Sequence, residues 1–424
     1  MIRFILKGII RDRSRSLFPF LTVTAGVMLT VVTFCWVQGT KTDLIRANAN
    51  FSAGHVKIMS RAYAGEADQI PNDLAYTGVE NLLEQLVRRY PGMIWLPRIR
   101  FGGLLDIPDS LGETRSQSPV FGLAIDLLRP ESPERELLNL EKALVRGKIP
   151  GNPGEILISD TLARLLVVKP GDVATIIGST MFGAMATANF TVSGTIRFGV
   201  SAMDRSAIIA DLTDIQYLLD MSDTVGEILG FYPDEIYRQE DAAAIAHEFN
   251  QTYSDPGNQF SPVMQTLRDQ AGLGQTLDLT AYVSTALVLI FIVVMSIVLW
   301  NAGLMGSLRR YGEMGIRLAI GENKGHVYRT LVLESAMIGA FGSFTGTFLG
   351  LVIAYYLQSV GIDISSMMKN ASMMISDVLR AKITPASYYV GFIPGLAATI
   401  LGTSLSGIGI YRRQTSQLAK EFEG

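Results

Sequence analysis

The chain has 424 residues, 48% of them hydrophobic and 18% charged, with a formal net charge of −3. That is too apolar for an ordinary soluble enzyme and too charged for a chain lying wholly within a bilayer. One cysteine, Cys35, and three widely spaced histidines, His55, His247 and His326, exclude an internal disulfide and offer no HExxH-type metal spacing.

In chain order, residues 1–16 place Ile2, Ile5, Leu6 and Ile9 on one helical face, with Arg and Lys elsewhere. The pattern predicts an amphipathic helix lying on the cytoplasmic membrane surface. Residues 17–38 form the first apolar run, and about 20 apolar residues suffice to span a membrane. The run is too long for a signal peptide and shows no good small-residue cleavage site, so an uncleaved anchor is expected. Further spans are predicted at 280–302, 331–357 and 387–411. They are joined by a cytoplasmic segment at 303–330 and an outer loop at 358–386, and followed by a tail at 412–424.

Lys and Arg placement sets the orientation. Arg3, Lys7, Arg11, Arg13 and Arg15 precede span one, Arg309, Arg310, Arg317, Lys324 and Arg329 follow span two, and Arg412, Arg413 and Lys420 follow span four. Four spans put these three basic regions on one side, the cytoplasm.

Residues 39–279 then form an extracytoplasmic domain. Short strand and helix patterns alternate through it, as in "HVKIMS", "VENLLEQLVRRYPG" and "EILISDTLARLLVVKPGDVATII". The expected fold is a membrane protein of four transmembrane helices with a large α+β domain, in two lobes, inserted between helices 1 and 2. The domain's acids are read as a solvated surface. No basic stripe points to nucleic acid, and no catalytic constellation is visible. "GSTMFGAMATANF", residues 178–190, is read as a hairpin loop. Residues 253–281 are read as either a helical stalk or a flexible linker, with Gly272 and Gly274 weakening the helix.

The mixed-charge stretch "RRYGEMGIRLAIGENKGHVYRTLVLES" stands between spans two and three. Met314, Ile316, Leu318 and Ile320 offer apolar surface, while Arg309, Arg310, Glu313 and Arg317 offer polar contacts. Gly321 and Gly325 are expected to let the chain turn back. In span three, Gly339, Gly342, Gly346 and Gly350 lie close to one face, the spacing of closely packed membrane helices. That seam is read as lying between subunits or within the bundle. Glu334 at the membrane entry is expensive in lipid and is expected to face protein.

One span, a large outer domain, three spans and "GEMGIRLAIG" after span two together resemble the MacB/FtsX-like permease family of ABC transporters. "VLESAMIGAFGSFTGTFLGL" is similar to the family's third span. "FGLAIDLLRPE" and "TIRFGVSAMDRSAIIADLTDIQYLL" are most similar to the lipoprotein-release branch, LolC and LolE. The end of span four lacks the family's usual Pro-Ala turn, and Gly321-Glu322 stands where Gly-Ala is usual.

The resemblance implies a permease subunit in the bacterial inner membrane, multi-pass, with its large domain in the periplasm. It implies two copies of a separate ABC ATPase that carry ATP and Mg, and a second permease copy or paralogue. The resemblance makes Arg309, Arg310, Glu313, Met314, Gly315, Ile316, Arg317, Leu318 and Gly321 the ATPase-coupling set. No GxxxxGK[ST] sequence occurs, so this chain is expected to bind no cofactor and to be no ATPase itself. The implied activity is extraction or release of lipoprotein or another apolar cargo from the membrane lipid. Export of peptides or drugs, or FtsX-like regulation of an outer enzyme, are the alternatives.

Overall fold

The computed structural model describes residues 13–109, 111–129, 131–198, 201–270, 272–308, 311–363 and 378–408. The described residues separate into two compact units. One comprises the residues up to Thr42, Leu279–Asp363 and those from Val378 onward, and the other is Asp43–Asp278. The amphipathic helix expected at 1–16 lies largely outside the described residues.

The first unit contains four helices long and apolar enough to cross a membrane. They are drawn from α1 (Arg13–Asn48), α4 (Leu273–Leu308), α6 (Lys324–Ser359) and α7 (Phe392–Gly407). Beyond α6, residues 380–383 cross the far end of the bundle. Lys382 N–H donates to Cys35 O at 2.9 Å and Ile383 N–H to Gln358 Oε1 at 3.0 Å. Gly39 is required there, because a Cβ would collide with Arg380 O.

The second unit carries ten strands in one connected sheet. They are β1 (Val56–Ser60), β2 (Ile94–Pro108), β3 (Thr114–Ile125), β4 (Leu144–Gly147), β5 (Glu155–Ser159), β6 (Val173–Ser179), β7 (Met185–Ile196), β8 (Ala207–Asp211), β9 (Glu227–Phe231) and β10 (Pro262–Thr266).

The long strand β2 serves two lobes. Its first five residues pair with β9, which continues through β1 to β10 as an antiparallel sheet. The helices α2 (Val79–Arg89) and α3 (Gln239–Tyr253) belong to this lobe. Val79, Leu82 and Leu86 give α2 its buried stripe.

The rest of β2 pairs with β3 on one side and β6 on the other. The pairing then runs β3 to β8, β8 to β5, β5 to β7 and β7 back to β6. Six strands thus close on themselves as a barrel, which removes the exposed edges an open sheet leaves. β8 reads "AIIAD" and is buried throughout. Burial on both faces explains why it lacks the alternation of a half-exposed strand.

The expected α+β domain between the first two membrane helices is present, with the short strands and helices named from sequence. Residues 178–190 fall on the β6–β7 hairpin, whose tip exposes Phe182 and Met185. Residues 253–281 are neither a continuous stalk nor a plain linker: β10 and a short 3-10 turn precede α4. Gly272 lies before the helix with φ +71°, and Gly274 permits close approach to Arg268 O.

The acids are not all a solvated surface. Glu134 is fully buried and chelated by Arg98, with Nε to Oε1 at 2.8 Å and Nη2 to Oε2 at 2.6 Å. Glu227 is buried between Lys57, at 3.1 Å, and Arg100. Burial disfavours the Glu227 charge, but Lys57 and Arg100 outweigh it and hold the carboxyl below its usual range.

Candidate functional site

The mixed-charge stretch folds as a short helix, an elbow and the start of the next membrane helix. α5 spans Tyr311–Ala319. On it Gly315 is buried, Leu318 is half-buried, and Ile316 and Arg317 are exposed. Ile320, just beyond, is 82% exposed. Arg309 and Arg310 lie outside the described residues, as do the side chains of Glu313 and Met314.

The elbow is built by two complementary caps. Gly321 N–H donates to Leu318 O at 3.1 Å and Glu322 N–H to Arg317 O at 3.0 Å. This is the Schellman arrangement, which needs a left-handed residue at its centre. Gly321 supplies it with φ +101°. Asn323 then caps α6, its Oδ1 accepting from Gly325 N–H at 2.9 Å.

Gly325 therefore does not make the turn, contrary to the sequence expectation. It lies in the first turn of α6 with ordinary helical backbone, and Gly321 alone carries the reversal. Glu322 also finds its place. It sits just ahead of the N-cap, where a carboxylate favours the positive end of the helix dipole, and it lies 3.7 Å from His326.

The four glycines of the α6 stripe have identified neighbours. Gly342, Gly346 and Gly350 face Val23, Val27 and Val31 of α1 in register. An added Cβ would stand 2.9 Å from Val23 Cβ, 2.6 Å from Thr24 O and 2.9 Å from Val31 Cβ respectively. The seam is thus within one chain, and at these positions it leaves no room for a second subunit. Gly339 instead meets Leu396 and Thr399 of α7 at 3.3 Å. Glu334 is half-buried on α6 and has a partner.

Sequence reasoning missed a groove. Phe34, Val37, Gln38 and Lys41 of α1 face Ser284, Val288 and Ile292 of α4 across an open volume of about 230 Å³. The two helices close at Gly26, against Met295 and Leu299. The groove is apolar at Phe34, Val288, Leu289 and Ile292, and polar towards the end that carries Gln38, Lys41, Ser284 and Thr285. α4 is the least covered span, with 6% of it buried within the chain against 39–44% for the others. The signal that would have revealed the groove is the pairing of polar Gln38 and Lys41 with Ser284 and Thr285 at matching depth. Among the described residues, no group of three or more His, Cys, Asp or Glu side chains is placed to hold a metal.

Residues 285–415 match the family described as FtsX-like permease C-terminal. Two curated proteins, each described as lipoprotein-releasing system transmembrane protein LolC and both from Xylella fastidiosa (strains Temecula1 and 9a5c), are 25% identical over 215 residues. Each alignment covers 49% of this chain and 50% of the relative, so the match spans about half the length of these relatives. Among solved structures, the periplasmic region of MacB from Actinobacillus actinomycetemcomitans overlays with a TM-score of 0.36 at 10% identity, covering 53% of this chain and 92% of that one. The C-terminal part of the chain, residues 285–415, is thus similar to the FtsX-like permease C-terminal family, and about half of the chain is similar to proteins described as LolC.

Proposed function

We propose that this chain is the permease subunit of an ABC transporter that releases an acylated protein from the outer leaflet of the bacterial inner membrane. The permease works as a pair, with a second copy or a paralogue. A separate ATPase, present in two copies, carries ATP and Mg and docks on α5 from the cytoplasm. The unit Asp43–Asp278 lies in the periplasm and receives the cargo.

The observation that carries this reading is the lateral groove between α1 and α4. It is mostly apolar, with its polar residues towards one end, and it is closed at Gly26. An acyl chain fits such a surface, and a hydrated ion does not. Lys41 and Gln38 at its end suit the polar root of an acylated polypeptide. The likeness to proteins described as LolC supports the same cargo class. Exposed Ile316 and Ile320 at the elbow give α5 an apolar face for a protein partner.

The test fills the groove. Ser284→Trp, in proteoliposomes with the partner ATPase and an acylated cargo, is expected to cut release about tenfold or more, the scale of losing a buried contact of about 1.4 kcal/mol, while ATP hydrolysis continues. Undiminished release from the filled groove contradicts the acyl-cargo reading. Expulsion of soluble peptide by the same vesicles indicates an exporter instead.

A further inference from the structure

We infer that Tyr328 is a positioning residue that carries movement of the α5–α6 elbow into the end of α7. The inference rests on the reading of α5 as the ATPase-facing element.

The elbow moves as one piece because its hydrogen bonds run in both directions. Gly321 and Glu322 bind back to α5, and Asn323 binds forward to α6. Tyr328 lies one turn into α6. Its ring rests on Gly407 of α7, where an added Cβ would stand 2.8 Å from Cε2 and 2.9 Å from Cδ2. Gly407 is thus the seat for the ring, and any side chain there would displace it.

The phenol does more than pack. Its O–H donates to Ser404 O at 3.3 Å. Ser404 lies in the last turn of α7, where carbonyls lack helical partners. Ile408 N–H, which would serve Ser404 in a continuing helix, donates to Leu405 O instead at 3.3 Å. A residue of α6 therefore completes the end of α7. Leu331, one turn on, touches the same Gly407 position at 3.3 Å. A further close approach of α6 to α7, at Gly339 and Thr399, lies two turns along. Tilting the first turn of α6 therefore acts on the end of α7 through Tyr328, at the Ser404 carbonyl and at Gly407.

Hydrogen exchange on the full chain in detergent, without ATPase, tests this. Gly321→Ala strains the elbow. It is expected to speed exchange across residues 398–408 roughly 3- to 10-fold, the scale of one lost hydrogen bond. In a Tyr328→Phe background, which keeps the ring on Gly407, the same elbow change is expected to leave that segment's rate unaltered. Equal acceleration in both backgrounds, or none in either, overturns the inference. Adding the ATPase then separates the two ideas. If elbow and α7 are linked but ATPase leaves both unchanged, the reading of α5 fails and the role of Tyr328 stands.

Discussion

His55 shows how one buried side chain sets a pH limit on the large unit. Its Nδ1 accepts from Tyr232 N–H at 2.9 Å, and its ring stacks on Tyr232 at 5.1 Å between centroids. The ring is 1% exposed. Burial lowers its pKa from 6.5 to about 4, with Asp234 opposing and Arg238 and Arg46 reinforcing the shift. The folded state thus favours neutral imidazole, and the unfolded chain binds the extra proton first. Stability is complete above pH 6.5 and falls as the pH drops from 6.5 towards 4. His55→Asn preserves an acceptor that does not titrate. Urea denaturation of the full-length protein should show wild type losing up to about 3 kcal/mol more than this variant across that window. Parallel pH profiles for the two would contradict the assignment. Gly321 shows the converse case, a residue without a side chain that decides local geometry. Its role was legible because a glycine between an amphipathic stretch and a long apolar run is a recognisable stop. Gly325 was misread because spacing alone does not distinguish a turn glycine from one in the first turn of a helix.

At the scale of elements, the α6 glycine stripe could be read from sequence, and its partner could not. Val23, Val27 and Val31 are ordinary apolar residues until the fold sets them against Gly342, Gly346 and Gly350. The barrel was hidden for a related reason. Its parallel pairing of β3 with β8 joins segments far apart in the chain, and no local periodicity encodes it. The buried ion pairs went unread because charge in a polar region normally signals solvent. Arg98 shows what the charge does instead. Besides Glu134, its Nη1 donates to Asn50 O at 2.8 Å and Phe51 O at 3.0 Å, in the π-turn that follows α1. The guanidinium thus fixes the chain where it leaves α1 and enters the sheet. Arg98→Met should destabilise the large unit by about 3–5 kcal/mol, because Glu134 is left buried and unpaired. Adding Glu134→Leu should recover most of that loss, as read from the urea midpoint. A double variant no more stable than the single one would show that the carbonyl contacts, rather than the ion pair, hold the site.

In the whole molecule, the glycine seam binds α6 to α1, and the lateral groove lies between α1 and the sparsely covered α4. Under the proposed function, the ordered elbow is the face that a partner ATPase engages. The four apolar helices and the domain inserted after the first of them were legible from hydropathy, because a span needs about 20 apolar residues. The groove was not, since it depends on how two helices diverge beyond Gly26. The proposed function has a separate ATPase engage this chain at α5. Photo-crosslinking from a probe residue at position 320, in native membranes, tests it most directly. The expected result is a single crosslinked protein carrying a GxxxxGK[ST] sequence, with the crosslink abolished when Ile316 is replaced by Asp. Crosslinks to lipid alone, at position 320 and at position 316, would contradict it.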